Sequence, residues 1–298
     1  MNTSPSGSDD SSDTSTEWSR REAVKAMGAA GLASLAPRLS AGAPDRGERP
    51  SAPDRPNIIF VLTDDQTLRG LSCYGSTLME TPNLDRIAEE GMRFDNAFVT
   101  NSLCAPSRAS MLTGKYSHEH GTTENIFRDK EPFDASQMTF PKRLRNAGYT
   151  TLQIGKWHLE SHPTGFDYWK RLPNQGRYKV PVFPEKPEGG GEPMRIQESG
   201  YITDIITELL DYLDETGLAK NTLLVFASDQ GIFIGEHGYY DKRPMYEESI
   251  RLPLLMRYPP LIPAGTVEAR IVRNIDFAAA FMDRAGVEIS DDVQGRNL

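Results

Sequence analysis

Two stretches of the chain are apolar through their middle without any alternation, and both stop at an acid. Residues 57–63 read NIIFVLT before Asp64-Asp65, and residues 221–228 read NTLLVFAS before Asp229-Gln230-Gly231. Runs of this kind predict strands covered on both faces of a parallel sheet. In open α/β sheets ligands gather at the carboxyl ends of strands, so both acid pairs are placed for function. Helical spacing governs other stretches. Thr81-Pro82 supplies a cap and first turn for LDRIAEE, with Gly91 as its stop. A second helix is predicted over 140–147, ended by Gly148. A third, over 201–215, carries Ile205, Ile206, Leu209, Leu210 and Leu213 on one face and ends at Gly217; a fourth covers 276–285. Strands are predicted at 150–155, leading into Lys156-Trp157-His158, and at 253–258. The Pro- and Gly-rich residues 173–200 read as an irregular loop. Strand, helix, strand in repetition predicts an α/β fold over 56–298, a mixed, mostly parallel sheet sandwiched by helices.

Composition separates the first 55 residues from the rest. Residues 1–17 are mostly Ser, Thr, Asp and Gly, too polar to offset the entropy of ordering, and are predicted to be disordered. Ser19-Arg20-Arg21 and Lys25 then precede a mild Ala/Gly/Leu run and Ala41-Gly42-Ala43. This pattern resembles a twin-arginine export signal, and predicts export machinery as a partner and a periplasmic or extracellular location. The run is too short and mild for a stable membrane span. A formal net charge of -9 argues against a nucleic-acid partner, so any anionic substrate needs locally placed cations. Two cysteines, Cys73 and Cys104, make no disulfide framework.

Asp64, Asp65, Asp229 and Gln230 offer only oxygen ligands, which suits a hard divalent cation, calcium ahead of magnesium. Either pair alone is equally well explained as a helix cap. Lysine and histidine recur downstream: Lys115 with His118 and His120, Lys156 with His158, and His237 with Lys242. Taken singly, each lysine reads as a solvated side chain. Cys104 read alone is a small buried hydrophobe. Arg108, four residues on, lies one helical turn along the same face.

Cys104-Ala105-Pro106-Ser107-Arg108 resembles the C-x-P-S-R signature of type I sulfatases, in the alkaline phosphatase superfamily. LTGKYSHEHG, IGKWHLE, SDQG and GEHGYYDKRPMYEESIRLPLLMRYP are similar to that family's segments in the same order, with most likeness to sulfatases of 6-sulfated N-acetylglucosamine. The resemblance implies that a maturase oxidises Cys104 to formylglycine. One hydroxyl of the hydrated aldehyde would attack sulfur, and the other would then lose its proton and expel sulfate. It also implies that Asp64, Asp65, Asp229, Gln230 and the modified Cys104 hold calcium and that Arg108 orients the diol. Lys156 and Lys242 would bind sulfate, His158 would accept the second hydroxyl's proton, His237 would lie on the substrate side, and Lys115 would support Cys104. His118 and His120 are expected to be structural. The implied substrate is a sulfated glycan or a small sulfate ester.

The chain departs from the family pattern in two places. Between the third helix and SDQG the family carries another core strand and a histidine in an HxPH-like run, a candidate acid for the leaving alcohol; here the two flanking segments are joined. The small C-terminal antiparallel subdomain is expected to be lacking. Two alternatives accompany the sulfatase reading: a phosphoester or phosphonate hydrolase of the same superfamily, and a shortened, non-catalytic remnant that binds metal or sulfated glycan.

Overall fold

The computed structural model describes residues 55–126, 131–172, 182–185, 194–197 and 205–298. The expected export signal and residues 1–17, expected to be disordered, lie outside these residues, as does the start of the third helix. Eleven strands are described: β1 (Asn57–Thr63), β2 (Met92–Phe94), β3 (Ala97–Phe98), β4 (Leu152–Lys156), β5 (Tyr168–Leu172), β6 (Val182–Glu185), β7 (Met194–Gln197), β8 (Thr222–Ser228), β9 (Leu254–Arg257), β10 (Thr266–Glu268) and β11 (Val272–Arg273).

The main sheet has the order β1-β8-β9-β2-β10. β1 and β8 are parallel, as are β2 and β10, and β9 alone runs against its neighbours. Four of the five strands therefore point the same way, the mixed, mostly parallel sheet that the pattern predicts. The register of the first pair sets the position of the acids. Asn57 lies opposite Thr222 and Thr63 opposite Ser228, so the two acid pairs leave the sheet side by side. The Asp229 amide donates to the Thr63 carbonyl at 3.1 Å and extends the ladder by one residue into the acids.

β8 is buried at every position, and its side chains alternate between two apolar layers. Val225 and Ala227 join Phe94, Leu254, Phe277 and Phe281 on one face; Leu224 and Phe226 join Ile87, Leu210 and Leu255 on the other. The helices Pro82–Glu89 and Ile205–Glu215 cover the second face and Asp276–Arg284 the first. Phe60 of β1 packs edge-on against Phe277 at 5.6 Å, and burial of such a side chain contributes about 1.5–3 kcal/mol. β1 itself is only half buried, contrary to expectation, because it is the margin of the sheet with one hydrogen-bonded neighbour.

A further expectation needs correction. The segment 173–200 is not wholly irregular. β6 and β7 pair antiparallel, from Val182 opposite Gln197 to Glu185 opposite Met194, and extend β4 and β5 into a second sheet of order β4-β5-β6-β7. Gly189-Gly190-Gly191 lies between the paired strands. Strands of four residues are too short to show a period in the sequence. The helix Pro82–Glu89 stops where expected, with Glu90 as its cap and Gly91 next. Gly91 serves close approach, since a Cβ there would meet the Met256 carbonyl oxygen at 2.1 Å. Cys73 and Cys104 are both free thiols. Among the described residues no helix is long and apolar enough to cross a membrane.

Candidate active site

Cys104 opens the helix Cys104–Thr113 and is fully buried. Leu103 has no capping side chain, so the first turn finds its acceptor elsewhere: the Ala105 amide donates to Asn125 Oδ1 at 3.0 Å. One turn on, Arg108 reaches three strand ends at once. Its Nε donates to Asp229 Oδ2 at 3.0 Å, Nη1 to the Lys156 carbonyl at 2.9 Å, and Nη2 lies 3.5 Å from Asp64 Oδ1. A planar guanidinium with a fixed fork of donors suits such a junction.

The acids meet over Cys104. Asp64, Cys104 and Asp229 each offer a ligand atom within 4.8 Å of the others. Asp65 has a left-handed backbone, with φ of 56°, that turns its amide to Asp229 Oδ1 at 3.1 Å. The Gln230 amide nitrogen donates to the Asp65 carboxylate and toward Cys104 Sγ at 3.4 Å. Two lysines enter from opposite sides. Lys156 Nζ, at the end of β4, lies 2.7 Å from both Asp64 oxygens and 3.7 Å from Cys104 Sγ. Lys242 Nζ is 2.6 and 2.8 Å from the Asp65 oxygens and 2.9 Å from Cys104 Sγ.

Burial raises the Cys104 thiol above its ordinary range, and Asp229 and Asp64 add to that shift against the pull of Lys156 and Lys242. Such a thiol is protonated at neutral pH and a poor nucleophile. Burial also pushes Asp229 up to about 7, with Arg108 opposing and Asp64 adding. Burial works against the Asp64 carboxylate too, but its hydrogen bond with Asp229 and the charges of Arg108 and Lys156 hold it below the usual range. The Gln230 carbonyl oxygen is buried and finds no hydrogen-bond partner. Three carboxyl groups, one of them fully buried, and an orphaned amide oxygen form a donor set that fits a hard divalent cation.

The remaining predicted residues divide. His158 is buried, with φ of 55° and an unpartnered Nδ1; burial, then Lys156 and Arg108, lower its pKa to about 4. His237 sits half exposed on the connection before Lys242, 3.3 Å from Glu248 and stacked on Tyr246. Lys115 does not support Cys104: it lies just beyond the far end of the helix and pairs with Asp292 at 3.0 Å. His118 is exposed and stacks on Tyr116, whereas His120 is buried between Ser110 Oγ and the Thr122 amide. Sequence reasoning missed Asn125, and also Asn274, which holds Ser107 Oγ at 3.0 Å beside Asp229. Neither asparagine follows a long apolar run, so the sequence carries no signal that would have revealed either.

Comparison with known proteins places this geometry among relatives. A family profile described as "Sulfatase" matches residues 56–188, and one described as "N-sulphoglucosamine sulphohydrolase, C-terminal" matches residues 235–298. An N-acetylglucosamine-6-O-sulfatase of Bacteroides thetaiotaomicron is 33% identical over 401 residues, covering 82% of this chain and 70% of that protein. The human N-acetylgalactosamine-6-sulfatase is 28% identical, covering 83% and 66%. A solved structure of a protein in complex with its substrate D-glucosamine-2-N,6-O-disulfate has a TM-score of 0.76 and 32% identity, over 82% of this chain and 79% of that one. The 401-residue alignment is longer than the whole 298-residue chain, so internal stretches of the relative have no counterpart here.

Proposed function

The chain belongs to the sulfatase family of the alkaline phosphatase superfamily, and from that premise we propose that it hydrolyses the 6-O-sulfate ester of an amino sugar within a sulfated glycan. The observation that carries the reading is the cluster of Asp64, Asp65, Asp229 and Gln230 about the buried Cys104, with two lysines against the same sulfur. The substrate class follows from the names of the relatives, which act on 6-sulfated amino sugars.

The thiol as it stands is held protonated, so the reading takes Cys104 as the precursor of formylglycine made by a maturase, and the four oxygen donors as a calcium site. When present, the hydrated aldehyde supplies an oxygen nucleophile and the cation a Lewis acid. Asp64, Asp65, Asp229 and Gln230 hold that cation. Arg108 orients residue 104 and pins Asp229 and Asp64 in place. Lys156 and Lys242 bind the sulfate oxygens and offset charge that grows in the transition state, each contributing on the order of 3 kcal/mol. His158, neutral at pH 7, accepts a proton at its open Nδ1. His237 lies on the substrate side. The Arg20-Arg21 stretch supports twin-arginine export to the periplasm or beyond, where sulfated polysaccharide is met.

The test uses chain co-expressed with a formylglycine-generating enzyme. The tryptic peptide ending at Arg108 should show the mass of the aldehyde, and the protein should release sulfate from N-acetylglucosamine 6-sulfate. Release should vanish in Cys104→Ala and after chelation. Aldehyde-bearing, calcium-loaded protein that releases no sulfate would sink the proposal. Release of phosphate from an aryl phosphate by that same protein would select the phosphoesterase reading.

A further inference from the structure

The chain between Gln230 and Lys242 forms a hairpin whose two ends are both site residues. Phe233 and Gly235 donate backbone hydrogen bonds to the carbonyls of Asp241 and Tyr239, at 2.9 and 3.0 Å. Arg69 clasps its tip by pairing with Glu236 at 2.8 Å and reaching Glu248 at 4.0 Å. Aromatic rings dress the hairpin. Phe233 is buried at its base and packs against Tyr239, Tyr246 and His237. Tyr240 is 82% exposed, yet its ring is not loose in solvent. It lies against Gly235, where a Cβ would come within 3.2 Å of the Tyr240 hydroxyl and 3.5 Å of the ring carbon that bears it. Gly235 has φ of 126°, a conformation that side chains rarely adopt, so the hairpin keeps that spot bare.

We propose that Tyr240 is a stacking platform for the sugar next to the sulfated residue, so that the protein's substrate class is a sulfated oligosaccharide rather than a free monosaccharide. This rests on the sulfatase reading only in locating the sulfate at Lys242. Tyr240 and Lys242 are two positions apart, so their Cα atoms are at most ~7 Å apart. That span suits a neighbouring pyranose ring once the sulfated sugar is seated. The chemistry also matches: one face of a pyranose presents C–H groups with hydroxyls around the rim, and tyrosine pairs an apolar face with a polar tip. The contact of its hydroxyl end with Gly235 and the two cross-hairpin hydrogen bonds on either side of Tyr240 hold the ring in place before the ligand arrives, which lowers the entropy lost on binding.

The experiment compares an N-acetylglucosamine 6-sulfate monosaccharide with a trisaccharide that carries the same residue, in the parent, Tyr240→Ala and Tyr240→Trp chains. KM is read from sulfate release and Kd from calorimetry. The parent should prefer the trisaccharide, and Tyr240→Ala should reduce that preference about three- to tenfold, the range expected for loss of one aromatic contact. Tyr240→Trp should restore it. An unchanged preference in Tyr240→Ala, an equal loss for both sugars, or no preference in the parent would each overturn the proposal. So would a change of oligomeric state in Tyr240→Ala with the preference intact, which would assign the ring to a protein interface. Calorimetry reads the preference even when no sulfate is released, so failure of the platform and failure of the sulfatase reading are told apart.

Discussion

At the scale of single residues the site is a set of charges that need one another. Burial works against the Lys242 ammonium, but the Asp65 carboxylate paired with it keeps it charged. Replacing it with alanine should lower kcat/KM about 10²- to 10³-fold with a smaller change in KM, because its charge counts most as the transition state forms; steady-state kinetics on a sulfated sugar checks this. Asp229 must lose its proton before a cation can bind, so apparent calcium affinity should rise as pH climbs through about 7, as a competition titration at several pH values would show. His120 acts on stability alone. Burial lowers its pKa from 6.5 to about 4, so the unfolded chain binds a proton that the folded chain refuses between those values. Its contribution is complete above pH 6.5 and lost as pH falls toward 4, about 3 kcal/mol in all. In His120→Gln the melting-temperature deficit relative to the parent should therefore shrink over that interval.

At the scale of elements, what could be read from the chain and what could not have the same physical cause. β8 was plain because a strand covered on both faces must be apolar throughout, and its acid terminus then marks the site. β1 was equally plain as a strand, but nothing in its side chains says that it stands at the margin, since that depends on which strands are its neighbours. β2, β3, β10 and β11 are two or three residues long and carry no period. The ligand pairs were legible as strand ends; the junction at Arg108 was legible only through its spacing from Cys104. The hairpin's fit against the sheet was not legible at all. Gly231 shows why: a Cβ there would meet the Glu248 carbonyl oxygen at 2.1 Å, and nothing in either motif says that the two segments pack against each other. Gly231→Ala should cost about 2 to 3 kcal/mol and lower the melting temperature by several degrees, with calcium binding weakened because Gln230 moves with it; thermal melts with and without calcium test both effects.

At the scale of the whole molecule, strands from both sheets and one helix converge on a single charged cluster, so a cation held there would link binding to folding. Calcium at one hundred times its Kd should add about 2.7 kcal/mol of stability, visible as a melting transition that rises with calcium and falls back with chelator. A transition indifferent to both would argue that the acids are satisfied by Lys156 and Lys242 alone. The burial of residue 104 also constrains the chain's earlier history. Cys104 has no solvent exposure and sits behind a helix start, three carboxyl groups and two ammonium groups. On the proposed reading a maturase would have to reach this side chain while the segment is still extended, and a chain that folded first would keep its sulfur. Alkylation should then label this position only in denaturant, and late addition of the maturase to native protein should leave the peptide mass unaltered.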